Sequence, residues 1–225
     1  MLNWNKSNTL IFTLLFFIFG FRPSIFPVII AVGLLSFTIY WILNVNRLGK
    51  LRPFAGYANW ITLFRLLMVV YIGFFYDTLS HHSIFSLALF SVIIDGLDGY
   101  IARKFNQKST FGLFFDMETD AFYVMVITSI IFMEGMFGFW LVIVGYLRYL
   151  YGTLSLFIRV YERESTRTKF RSIIAGIFFV AILSPFILPP NIHFPVVITA
   201  STLLVFSFII SFVMIFLPDN RVKES

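Results

Sequence analysis

Apolar residues run along this chain in stretches of roughly twenty, separated by short polar connections. Stretches of that length cross the hydrocarbon core of a bilayer as helices, and they lack the period-two alternation of barrel strands. The pattern predicts eight helices, near residues 8–21, 24–44, 59–76, 83–102, 112–133, 137–160, 170–188 and 194–217. The first could be read as a signal peptide, since Lys6 precedes a short apolar core. No small-residue cleavage site follows it, however, only Gly20 ahead of Phe21, Arg22 and Pro23, so an uncleaved hairpin with the second helix is the better reading. The loop from Val45 to Tyr57 then separates this hairpin from six further helices. The expected organisation is an all-α integral membrane fold: residues 1–58 as hairpin and basic loop, 59–217 as a six-helix domain, and 218–225 as a tail. Asn3 to Asn8 and Pro218 to Ser225 read as short solvated ends.

Composition strengthens the membrane reading. Hydrophobic residues make up 59% of the 225 and charged residues only 12%, about half the share usual in soluble chains. Mean hydropathy is +0.90, which excludes an ordinary soluble globule. The absence of cysteine rules out disulfides, thiolate metal sites and thiol nucleophiles. A net charge of +6 can indicate nucleic acid, but here the basic residues sit in short clusters between apolar stretches and form no arm or stripe.

Those clusters occupy alternate connections. Arg47, Lys50 and Arg52 share one loop, Arg103, Lys104 and Lys108 another, and Arg163, Arg167, Lys169 and Arg171 a third, with Arg221 and Lys223 in the tail. The intervening connections, 77–82, 134–137 and 189–193, hold no Lys or Arg. Because basic residues are retained on the cytoplasmic side of short loops, both termini are expected in the cytoplasm.

Four of the eleven acidic residues fall at the facing ends of two consecutive helices. Asp95 and Asp98 are three apart, and Asp116 and Asp120 four apart, so each pair shares a helix face. The predicted topology sets both pairs at one depth, where four uncompensated carboxylates would repel and would need cations or protons. An all-oxygen set favours two hard divalent ions, Mg²⁺ or Mn²⁺, with Ca²⁺ also suited. Paired ions of this kind clamp phosphate oxygens during displacement at phosphorus. The plain alternative is a set of solvated helix ends. Gly99, beside Asp98, and Gly112, at the start of the next helix, allow close approach of a backbone or ligand, and Arg103 offers a planar fork to a phosphate.

Residues 95–120, DGLDGYIARKFNQKSTFGLFFDMETD, match DxxDGxxAR(x8)GxxxDxxxD at all its fixed positions, and the chain thereby resembles the CDP-alcohol phosphotransferases. The resemblance extends over about 59–217 and implies that family's six-helix core, preceded here by the two-helix hairpin. It implies that Asp95, Asp98 and Asp116 ligate metal, and that Asp120 ligates the second ion and acts as general base. It further implies that Gly99, Ala102, Arg103, Ser109 and Gly112 belong to the CDP-lipid site. Asn59 and Thr62, with Arg65 a turn later, resemble the short motif that approaches the nucleotide diphosphate; Ala58 departs from a common proline. The implied reaction transfers a phosphatidyl group from CDP-diacylglycerol to an alcohol and releases CMP, at the cytoplasmic face of a bacterial-type inner membrane. A homodimer is a further expectation.

Arg148 and Arg159 lie within an apolar stretch, where a charge needs a polar cavity, and Lys169 follows near the membrane surface. They are candidates for a phosphate on the acceptor, which favours inositol phosphate or glycerol 3-phosphate; positive-inside residues or contacts with lipid head groups are the simpler reading. His81, His82 and His193 are expected far from the aspartates. Trp4, Trp41, Trp60 and Trp140 are expected as interface anchors, and most other aromatics as lipid-facing bulk. Two other functions remain open: a divalent-cation transporter and a non-catalytic assembly protein.

Overall fold

The computed structural model describes residues 2–51, 54–105, 109–157 and 169–216. Among these every regular element is helical: α1 (Leu2–Phe21), α2 (Phe26–Leu43), α3 (Val45–Leu48), α4 (Tyr57–Phe75), α5 (His81–Lys104), α6 (Thr110–Met133), α7 (Trp140–Gly145), α8 (Leu147–Phe157), α9 (Lys169–Ala181) and α10 (Pro190–Phe216). Three stretches, 23–43, 57–75 and 190–210, are both long and apolar enough to cross a membrane by themselves. Helices α5 and α6 have 24 residues each, about 36 Å at 1.5 Å per residue, so they also have the length; the acids lie on these two.

Element boundaries follow local chemistry. Pro23 opens a 3₁₀ turn ahead of α2, where a missing N–H costs nothing. Ala55 and Gly56 take positive φ, 65° and 77°, and reverse the chain into α4. Ser109 caps α6 by accepting from the Gly112 N–H at 3.0 Å. The helix expected over 137–160 divides at Tyr146, which sits at φ −91° and ψ 2° between α7 and α8. The Tyr146 ring is fully buried against Phe16 and Tyr149, so packing overrides the continuous apolar pattern there. The helix expected to reach 188 ends at Ala181, because Pro185 in the following 3₁₀ turn cannot donate to a helical bond.

Helix α6 is the centre of the bundle. Sixteen of its residues, from Phe111 to Ile131, are buried, and it packs on α2, α4 and α7. Several phenylalanines expected to face lipid are instead core residues: Phe12, Phe19, Phe26, Phe37, Phe115, Phe122 and Phe178 are all fully or almost fully buried. Others, such as Phe17, Phe21, Phe64 and Phe206, are exposed as bulk aromatics on a lipid face would be.

The N-terminal hairpin joins the same core. Helix α1 lies along α8, where Gly152 leaves room for Thr9; a β-carbon there would stand 2.8 Å from Thr9 Cγ2. The Thr13 and Thr153 hydroxyls bond at 2.8 Å across the same seam. The solvated start expected for residues 3–8 is corrected: α1 begins at Leu2, and Asn5 and Asn8 are buried, because α1 packs into the bundle, where the Asn8 amide meets the Glu118 carboxylate. Trp4 is likewise part of the packing, stacked on Tyr40 at 3.7 Å with its indole N–H donating to the Ser36 carbonyl at 3.2 Å.

Candidate functional site

Three helices converge on one polar cluster. Asp95 comes from α5, Asp116 and Asp120 from one face of α6, and a carboxylate oxygen from each lies within 4.8 Å of the others. Their side chains are 33%, 31% and 26% exposed, so the cluster opens to solvent at the end of the bundle. The i, i+4 spacing places Asp116 and Asp120 on the same side of α6, one turn apart. Asp98 continues α5, with its side chain outside the described residues.

Arg65 of α4 enters the middle of this cluster. Its Nη1 pairs with Asp95 and lies 3.0 Å from Asp116 Oδ1, while Nη2 lies 2.7 Å from Asp120 Oδ1. The residue is 1% exposed, so the guanidinium reaches the carboxylates from within the bundle. A planar fork suits this task, since separate N–H groups address different carboxylates. The sequence points to Arg65 only as an appendage to the Asn59 segment; its place among the aspartates depends on how α4 packs against α5 and α6.

Oxygen donors of this kind suit a hard divalent cation, and the cluster can hold one. Among the described residues, three carboxylates and one guanidinium leave a formal excess of two negative charges.

Asn59, Ser109 and Gly112 meet beside the cluster. A β-carbon on Gly112 would stand 2.6 Å from Asn59 Oδ1 and 3.2 Å from Ser109 Oγ, so only glycine allows α4 to come so near the start of α6. Asn59 donates to the Ala55 carbonyl at 2.7 Å and Thr62 to the Ala58 carbonyl at 3.1 Å; both side chains are buried. Gly99, Ala102 and Arg103 belong to the last turns of α5, and their side chains lie outside the described residues.

Of the basic residues assigned to an acceptor, only Arg148 has a described side chain. Arg148 of α8 donates from Nη2 to Glu118 Oε1 at 2.9 Å. Arg159 lies outside the described residues, and Lys169 opens α9 with its side chain outside them. Glu118 escapes a reading that looks for paired acids, although it is 0% exposed. The signal that finds it is mutual: an arginine and a glutamate within apolar stretches each need an opposite charge. The described histidines are remote from the aspartates, as expected. His81 meets Glu134 at 3.4 Å where α5 begins and α6 ends, and His193 contacts the Leu188 carbonyl.

Comparison with known proteins agrees with the motif. A family profile described as CDP-alcohol phosphatidyltransferase matches residues 55–217. The chain is 38% identical over 86 residues to the CDP-diacylglycerol–glycerol-3-phosphate 3-phosphatidyltransferase of Wigglesworthia glossinidia brevipalpis, covering 37% of this chain and 47% of that one. It is 55% identical over 42 residues to the probable CDP-diacylglycerol–inositol 3-phosphatidyltransferase 2 of Arabidopsis thaliana, covering 18% and 19%. It is 34% identical over 87 residues to the glycerol-3-phosphate enzyme of Haemophilus influenzae, covering 37% and 46%. The chain thus spans about half, or less, of the length of the curated relatives it matches. No solved structure matches it.

Proposed function

The chain belongs to the CDP-alcohol phosphatidyltransferase family, and on that premise we propose that it transfers a phosphatidyl group from CDP-diacylglycerol to a phosphorylated polyol and releases CMP. The observation that carries this reading is the meeting of Asp95, Asp116 and Asp120 within 4.8 Å at a solvent-open end of an apolar bundle. There a lipid substrate can keep its acyl chains in the bilayer while its head group reaches water.

In this reading Asp95, Asp98, Asp116 and Asp120 would hold two divalent ions, Mg²⁺ or Mn²⁺. When bound, the ions neutralise the diphosphate and the departing CMP. With Asp98 counted, the four carboxylates and Arg65 carry three excess negative charges, which two such ions would turn into one positive charge, suited to an anionic diphosphate. Asp120 takes the proton from the acceptor hydroxyl as that oxygen forms its bond to the lipid-side phosphorus. The phosphorus–oxygen bond to CMP breaks in the same displacement, and the electron pair leaves with CMP. Arg65 holds Asp116 and Asp120 in register through its two terminal nitrogens and keeps their repulsion low. Asn59, Thr62, Gly99, Ala102, Arg103, Ser109 and Gly112 form the CDP side. Gly112 and Ser109 bring the start of α6 against Asn59 of α4, so that the residues assigned to the CDP side stand together.

For the acceptor, inositol phosphate and glycerol 3-phosphate are the candidates. Arg148 is taken up by Glu118 on the side of α6 turned away from Asp116 and Asp120, so of the three basic candidates Arg159 and Lys169 come before it for the acceptor phosphate. The active site faces the cytoplasm, as the alternation of basic loops indicates. A cation transporter has no comparable support: Glu118 is sealed against Arg148, and Glu134 stands at the far end with His81.

The test is CMP release by purified protein with CDP-diacylglycerol, Mg²⁺ or Mn²⁺ and a panel of alcohols, followed by mass spectrometry of the lipid made. Release with one phosphorylated polyol, lost in Asp120→Asn, is expected. No release with any acceptor would end the proposal.

A further inference from the structure

Helix α6 is held from two opposite sides. At about 100° per residue, Glu118 is turned about 200° from both Asp116 and Asp120 and faces away from them. On that far side Glu118 Oε1 accepts from Arg148 Nη2 of α8 at 2.9 Å, and Oε2 accepts from Asn8 Nδ2 of α1 at 3.3 Å. The chain of bonds continues outward: Ser36 of α2 donates to Asn8 Oδ1, and the Trp4 indole donates to Ser36 Oγ at 3.0 Å. Asn8 is 1% exposed and Glu118 0%, so neither can exchange its partner for water. A buried carboxylate bound at both oxygens resists rotation and sliding of its helix, because either motion leaves a charge unpaired. Asn8 lies outside the family match, which starts at residue 55.

We propose that Asn8 and Glu118 are positioning residues for the carboxylate cluster: the N-terminal helix, through Asn8, sets the rotation of α6 and thereby the placing of Asp116 and Asp120 for metal. The proposal rests on the reading of that cluster as a metal site. It makes α1 and α2 a supporting part of the centre, acting from behind the helix that carries two of its ligands.

Binding of Mn²⁺ to the purified full-length protein in nanodiscs, followed by electron paramagnetic resonance without nucleotide or acceptor, tests it. Asn8→Leu should weaken Mn²⁺ binding about tenfold, as loss of outer-shell support commonly does. The exchange variant Asn8→Asp with Glu118→Gln keeps every donor facing an acceptor. The amide introduced on α6 accepts from Arg148 and donates to the carboxylate introduced on α1, which in turn accepts from Ser36. This variant should bind Mn²⁺ within about threefold of wild type. Thr13→Val loses a hydroxyl bond between α1 and α8 that does not touch α6, and should leave Mn²⁺ binding unchanged while lowering the melting temperature. If Asn8→Leu is not recovered folded, Asn8→Ser, too short to reach Glu118, takes its place. Wild-type affinity in the Asn8 variant, an equal loss in Thr13→Val, or failure of the exchange variant to restore binding overturns the positioning role alone. Absence of Mn²⁺ binding in wild type overturns the metal reading and this one with it.

Discussion

Replacing Arg65 by glutamine removes the guanidinium that touches Asp95, Asp116 and Asp120 and leaves three carboxylates to repel one another at close range. Breaking a fully buried ion pair costs about 3–5 kcal/mol; with carboxylates a quarter to a third exposed, a loss of about 2 kcal/mol is expected. Metal supplies the missing positive charge, so millimolar Mn²⁺ should raise the melting temperature of Arg65→Gln by more than that of wild type. Equal rises in thermal scans of the two proteins would contradict this. Asp120→Asn keeps the size of the side chain but cannot accept the hydroxyl proton, and should lower CMP release by at least about 10²-fold. Spacing pairs Asp120 with Asp116 on one helix face, and the family resemblance then singles it out as the base. Spacing does not single out Arg65, whose partners lie thirty or more residues away in sequence.

At the scale of elements, the junction of α4 with the start of α6 has the least slack. Gly112→Ala would put a methyl group 2.6 Å from Asn59 Oδ1 and force the two helices apart, at about 1–3 kcal/mol. CMP release should fall with it, since α6 carries two of the site acids. Ser109→Ala, which only removes the cap on α6, should cost about 1 kcal/mol in the same melting experiment. The number and order of the long helices are legible in the apolar runs. The break at Tyr146 is not, because residues 137–147 are apolar on both sides of it and the ring is drawn inward by partners on α1 and α8. The stop at Ala181 is more legible: Pro185 signals it, but the apolar residues that follow hide the signal.

For the whole molecule, removal of divalent ions with a chelator should abolish CMP release, and Mg²⁺ or Mn²⁺ should restore it. A chain beginning at Val45 should lose its monodisperse peak in size-exclusion chromatography. It would uncover Phe115 and Phe122, which pack on Phe37 of α2, and would take Asn8 from Glu118. The sequence by itself determined that the protein is helical and lives in a membrane, because helices long enough to cross a bilayer need long apolar runs. It also determined which acids share a face, because helical spacing is local. The tertiary structure alone decided that Arg65 stands among those acids, that Glu118 is held by Arg148 and Asn8, and that the hairpin shares the core. Each of these is a contact between residues far apart in the chain, made by the way helices turn and stack, which local pattern does not encode.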